Sequence, residues 1–102
     1  MSSLPYLDMV ISETLRMYPV LPYLDRNAKN DYQFPDNKLV VKANTPVVIP
    51  MQAIQMDPQY FPNPEKFDPE RFSPENKSNI KSNTYFPFGD GPRMCIGKYN
   101  FL

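Results

Sequence analysis

Residues 85–99 read YFPFGDGPRMCIGKY, and they hold the sole cysteine of the 102-residue chain, Cys95, together with all three of its glycines, Gly89, Gly91 and Gly97. Glycine can take positive φ or let a backbone approach another group closely. The chain has therefore gathered its permissive positions around one sulfur. Their spacing is not that of a phosphate grip: a dinucleotide fingerprint needs glycine at 94, where Met94 stands, and a Walker loop ending at Gly97 and Lys98 needs glycine at 92 and Ser or Thr at 99, where Pro92 and Tyr99 stand. Two readings of Cys95 follow. It is a small buried hydrophobe, as free cysteines commonly are, or it is an activated thiolate, because Arg93, Lys98 and open loop N–H groups favour the ionised sulfur. A nucleophilic enzyme would pair it with a histidine base, and the chain has no histidine. A thiolate that binds metal needs no base, although a tetrahedral zinc site would be short of ligands.

Composition narrows the classes further. The length suits one small domain and not two. Eleven basic and eleven acidic residues cancel, which argues against a nucleic-acid or acidic-membrane binder. A single cysteine cannot form an intrachain disulfide. No basic n-region with an apolar h-region opens the chain, and no apolar run approaches the roughly 18 residues of a membrane span. Thirteen prolines each fix φ, remove a donor and bias the preceding residue away from helix. Regular structure is confined to the gaps between them.

In the first gap, Leu4, Leu7, Val10, Ile11, Leu15 and Tyr18 recur on one helical face, with Ser2 or Ser3 as cap, Pro5 in the first turn and Pro19 as terminator. This predicts a helix of about four turns with that stripe inward. Residues 39–42 and 47–50, rich in β-branched side chains, flank KANT, where Asn44 can adopt the left-handed conformation; they predict a short hairpin. Residues 53–57 read as an added helical turn. Next, prolines interleave with Tyr60, Phe61, Phe67 and Phe72, forbidding long helix or central strand while each aromatic favours burial. This segment reads as coil laid onto a body, and residues 73–84 as an exposed loop. So long a structureless stretch is uncommon in a small compact domain and suggests that much of the body lies elsewhere.

Glu13 and Arg16 alone read as a solvent-facing i, i+3 ion pair worth about 0.2–0.5 kcal/mol, and Arg71 as a surface arginine. Taken in order with the cysteine loop, these motifs resemble the C-terminal haem-binding part of a cytochrome P450. ETLR, residues 13–16, is similar to the ExxR motif of that family's K helix; PERF, residues 69–72, to the motif of its aromatic meander; FGDGPRMCIG, residues 88–97, to the haem-loop pattern FxxGxRxCxG at every fixed position. The wording is most like that of microsomal insect xenobiotic-metabolising members. The resemblance covers nearly the whole chain.

It implies part of the mainly-α P450 fold, itself α+β: a K-type helix, a short β-hairpin, a Pro/aromatic meander and a Cys haem loop, residues 1–102 being a partial domain without its N-terminal helices, anchor and final helix and strands. It implies that Cys95 ligates the iron of haem b (iron protoporphyrin IX), with Phe88 beside the sulfur and Gly89, Gly91 and Gly97 shaping the loop. Arg93 and Arg26 would hold the propionates, and Val20, Leu21 and Pro22 would line a pocket for a small apolar substrate or else belong to ordinary core. Glu13, Arg16 and Arg71 would form a buried charged triad. The implied activity is monooxygenation of endogenous or xenobiotic apolar compounds with O2 and electrons from NADPH–cytochrome P450 reductase, in the endoplasmic reticulum membrane through an N-terminal anchor and with no nucleic-acid partner; alone, the fragment would be inactive. Three departures from the family pattern stand out: Gln55 where histidine is usual, Asn44 where the hairpin turn commonly has glycine, and residues 98–102, which diverge. The rival readings are a non-enzymatic Pro/aromatic binding module and a fragment without function.

Overall fold

The computed structural model describes residues 4–98. Helix α1 spans Pro5–Met17, beginning with proline, whose fixed φ and missing N–H suit a first helical position. Its N-cap is Leu4, which makes no side-chain cap hydrogen bond; Ser2 and Ser3, expected to cap it, lie outside the described residues. The helix stops where expected. Tyr18 N–H reaches Thr14 O at 2.8 Å, and Pro19 has no N–H to offer the Leu15 carbonyl.

The side of α1 that faces inward is the one implied by the resemblance for Glu13 and Arg16 and only in part the apolar stripe, of which Val10, Ile11 and Leu15 are half-buried. Met9, Glu13, Arg16 and Met17 are buried, whereas Leu4, Leu7 and Tyr18 are exposed, Tyr18 to 67%. Periodicity alone found the apolar stripe but only part of the face that packs. Arg16 decides it, because the carbonyls that its guanidinium reaches all lie in the segment from Gln55 to Lys66.

Four short strands follow: β1 (Leu24–Asn27), β2 (Tyr32–Gln33), β3 (Val40–Val41) and β4 (Pro46–Ile49). They form two antiparallel pairs, β1 with β4 in the register Leu24↔Ile49 and Arg26↔Val47, and β2 with β3 in the register Tyr32↔Val41. The expected hairpin between residues 39–42 and 47–50 is therefore not formed. A tight turn through Pro35, Asp36 and Asn37 folds β3 back onto β2, with Lys38 N–H on Phe34 O, Phe34 N–H on Leu39 O and Lys38 at φ 59°. The proline and the following Asp-Asn are common turn formers. KANT is still a turn, closed by Thr45 N–H on Lys42 O with Asn44 at φ 66°, but it carries the chain from one sheet to the other. Asp31 supports it by accepting Ala43 N–H at 2.8 Å and pairing with Lys42.

Helix α2 (Met51–Gln55) begins directly after Pro50, two residues ahead of the expected turn. The proline-rich stretch then has no long helix or strand. Its one regular piece is a 3₁₀ turn, Pro69–Phe72, capped by the Asp68 carboxylate on Glu70 N–H and started by proline, and it packs on α1. Phe61 and Phe72 are buried there, but Phe67 is 45% exposed, contrary to the expectation that every aromatic would be covered. A second 3₁₀ turn, Lys77–Asn79, interrupts the otherwise exposed loop.

Among the described residues the buried apolar core is thin: Met9, Met17, Met51, Phe61 and Phe72. The radius of gyration, 15.9 Å, exceeds the roughly 13 Å of a compact 100-residue domain. A β-branched side chain at the left-handed position 44 is expected to destabilise by about 1–2 kcal/mol, while Asn44→Gly stays near neutral. The shift in denaturation midpoint of Asn44→Val against Asn44→Gly measures this.

Candidate functional site

Glu13 and Arg16 are one helical turn apart and both fully buried. Arg16 Nε and Nη2 each donate at 2.8 Å to the two Glu13 oxygens, a bidentate pairing that fixes both side chains. The remaining guanidinium hydrogens go to Gln55 O and Pro64 O, each at 2.8 Å, with longer contacts to Met56 Sδ and Lys66 O, and Phe61 lies beneath at 5.4 Å from ring centroid to Cζ. Glu13 Oε1 further accepts Asp68 N–H at 2.9 Å and Arg71 Nε at 3.3 Å. Arg71, more exposed, also donates to Asn63 O. The three charged side chains thus bind α1 to the coil and to the Pro69–Phe72 turn. A buried charge left without partners is costly, and no buried side-chain polar atom among the described residues lacks one.

The cysteine loop hangs from this framework. Tyr85 packs against Phe72 with ring centroids 4.7 Å apart and donates its hydroxyl to Ser12 O on α1. Phe86 N–H donates to Gln55 Oε1 at 3.1 Å, Gly89 N–H to Phe86 O at 2.9 Å, and Cys95 N–H to Phe88 O at 2.8 Å. Hydrogen bonds joined by the Phe88–Gly89 peptide link therefore lead from the buried framework to the cysteine. Gly89 and Gly91 have φ of 78° and 80°, where a side chain would be strained. Gly97 has no such φ, but a Cβ there would stand 3.7 Å from Cys95 Sγ. Asp90 accepts Gly91 N–H and caps the 3₁₀ turn Gly91–Arg93.

Cys95 is exposed, so it is not the small buried hydrophobe of the first reading, and Ile96 beside it is fully exposed. Phe88 is half-buried. Leu24 of β1 reaches the loop, its Cδ1 lying 3.8 Å from where a Cβ on Gly89 would be. Arg26, two residues along the same strand, lines with Leu24, Phe86 and Asp90 a cavity of about 410 Å³. Arg26 and Arg93 are both exposed, and among the described residues neither has a carboxylate partner. Val20 and Leu21 are exposed in this chain, Val20 to 76%; Pro22, also exposed, accepts Gln52 N–H through its carbonyl. The diverging end from residue 99 onward lies outside the described residues.

An exposed sulfur on a glycine-shaped loop, with two arginines free of carboxylates, is a donor set that fits an iron porphyrin carrying acidic side arms. No group of three or more His, Cys, Asp or Glu among the described residues is placed to hold a metal ion.

Two residues of the framework escaped the sequence reading of the site. Tyr85 has no motif that marks it. Gln55 was visible only as a departure from a family pattern, yet the sequence carries a signal for it, since Pro19 leaves a helix carbonyl in want of a donor.

The Cytochrome P450 family profile matches residues 1–99. Cytochrome P450 6k1 of Blattella germanica is 56% identical over 94 residues, 92% of this chain and 18% of its own length. Cytochrome P450 9e2 of the same organism is 55% identical over 96 residues, 93% of this chain and 18% of its own length. Cytochrome P450 6a2 of Drosophila melanogaster is 53% identical over 96 residues, 93% of this chain and 19% of its own length. The chain thus spans about a fifth of the length of the curated relatives it matches.

Removing Glu13 (Glu13→Ala) is expected to destabilise by about 3–5 kcal/mol, because Arg16 is left charged and buried; Arg71→Ala, at a partly exposed site, costs less. Denaturation midpoints of the two variants give the order. Burial, with the Glu13 charge adding to it, pushes the Tyr85 phenol from 10.0 up to about 12. Between those values an unfolded chain releases this proton and the folded one keeps it, so the stability present below pH 10.0 falls as pH rises towards about 12. Tyr85→Phe should flatten that decline, which a series of melting curves across alkaline pH measures.

Proposed function

The chain belongs to the cytochrome P450 family, and from that membership we propose that it supplies the haem-thiolate half of a monooxygenase acting on apolar organic compounds, as one segment of a longer enzyme. The observation that carries this reading is the exposed Cys95 sulfur at the end of the hydrogen-bonded run from Glu13 and Arg16. The thin core and the exposed stripe of α1 support the view that further chain completes the body.

In the proposed enzyme Cys95 would hold haem b through its thiolate sulfur. When bound, the haem supplies the oxygen chemistry, the activation of O2 with two electrons and the transfer of one oxygen atom to substrate. The protein groups bind and orient. Arg93 and Arg26 neutralise the porphyrin's acidic side arms, and their guanidinium forks suit carboxylates. Gly97 keeps the backbone bare beside the sulfur, so loop N–H groups can turn towards it. Phe88 shields it from water. Val20, Leu21 and Pro22, apolar and uncovered just past α1, offer a surface to an apolar substrate.

The partner proposed is NADPH–cytochrome P450 reductase, and the location the endoplasmic reticulum membrane, reached through an N-terminal anchor in the longer protein. No helix among the described residues is long and apolar enough to cross a membrane. Both proposals rest on membership of the cytochrome P450 family.

Replacing the sulfur tests the ligand. In the full-length protein, Cys95→Ser is expected to abolish the thiolate-type absorption of the ferrous carbonyl complex, and Arg93→Ala to keep that band while haem dissociates faster. A Cys95→Ser protein with the unchanged band would refute the assignment. The chain by itself, mixed with haem, reductant and carbon monoxide, is expected to give no stable thiolate-type band.

A further inference from the structure

Gln55 is fully buried, and every group of its amide has work to do. Its Nε2 donates to Leu15 O at 3.2 Å and to Arg16 O at 3.1 Å, while its Oε1 accepts Phe86 N–H at 3.1 Å. Its own backbone carbonyl accepts Arg16 Nη1 at 2.8 Å. The two carbonyls on Nε2 belong to the last turn of α1, where helical acceptors normally have no partner. Leu15 O would ordinarily receive the N–H of residue 19, and that residue is proline. One side chain therefore closes the end of α1 and holds the first residue of the cysteine loop's hydrogen-bonded run, Phe86, whose carbonyl in turn takes Gly89 N–H.

We infer that Gln55 is a positioning residue for the haem thiolate: its amide ties the C-terminal end of α1 to Phe86 and through it fixes where the loop presents Cys95. The inference rests on the proposed role of Cys95. An amide suits the post because it offers two donors and an acceptor together. A neutral imidazole offers one of each and would leave one α1 carbonyl unserved; a methionine of similar shape would serve none. None of the hydrogen bonds of the Gln55 side chain goes to the Cys95 sulfur, and the one that leads towards the loop goes to the Phe86 backbone. Tyr85 fixes the neighbouring residue to Ser12, which holds the segment on α1 but leaves the orientation of the Phe86 peptide to Gln55.

The test uses the full-length holoprotein, wild type and Gln55→Met, each at a temperature where circular dichroism shows it folded. The ferrous carbonyl complex is formed, and the decay of its thiolate-type band to the band of a lost or neutral thiol is timed. Gln55→Met is expected to decay about tenfold faster, the factor that corresponds to about 1.4 kcal/mol and lies within the cost of one unsatisfied buried polar group. Gln55→His, which keeps an acceptor for Phe86 N–H, should decay close to the wild-type rate. A Gln55→Met protein that melts lower yet decays at the wild-type rate would overturn the inference, since Gln55 would then hold only the helix end. If Gln55→Met does not fold, hydrogen exchange in the wild-type holoprotein decides: a Phe86 amide as protected as those of α1 supports the tether, and one that exchanges like an open loop overturns it. A wild-type protein without a thiolate-type band would refute the role of Cys95, a failure separate from the exchange result.

Discussion

The bidentate pairing of Arg16 with Glu13 is the interaction on which the rest of the chain depends. An arginine with no exposure must find acceptors for its whole guanidinium fork. Glu13 supplies two of them, and backbone carbonyls of Gln55 and Pro64 supply further ones at equally short range. Those carbonyls come from coil that has almost no regular structure of its own. The prolines that prevent helix and strand in residues 58–74 also leave backbone acceptors unclaimed by any ladder. The buried charge and the irregular coil thus complete each other. Removing either partner leaves the other with groups that nothing else satisfies.

This dependence explains why the helix packs by its polar side. Hydrophobic burial at the α1 interface comes mainly from Met9 and Met17 with Phe72 across it, while the stripe of Leu4, Leu7 and Tyr18 stays exposed. A packing stripe is ordinarily apolar, and that rule pointed only in part to the packed face here. What outweighed it is a small number of well-aligned charge-assisted hydrogen bonds. Nothing in 3.6-residue periodicity carries that information, although ETLR and PERF together do once Glu13 and Arg71 are read as partners across 58 residues.

Local chemistry was legible where a residue acts on its near neighbours. Pro5 and Pro19 bound the helix, and Asn44 takes the left-handed turn. Strand pairing was less so. The β-branched pairs at 40–41 and 47–48 were recognised as strands, but both partners lie upstream, and the Pro35–Asn37 turn that sends β3 back to β2 was passed over. At the site, the cysteine and glycines announce themselves, and the structure adds what supports them: a run of hydrogen bonds from Gln55 through Phe86 and Phe88 to Cys95. Spacing could not disclose Gln55, because its partners lie 31 and 40 residues away.

The loop is then an extension of a buried charge network, with its sulfur left outward and with Arg26 and Arg93 in no salt bridge among the described residues. Such an arrangement suits the anionic ligand atom and the acidic cofactor edge proposed for it. The central claim is that the Cys95 sulfur binds iron. Iron-edge X-ray absorption of the full-length ferric protein tests it most directly: the account predicts a sulfur scatterer in the first coordination shell that disappears in Cys95→Ser, and a first shell of nitrogen and oxygen alone in the wild type would contradict it.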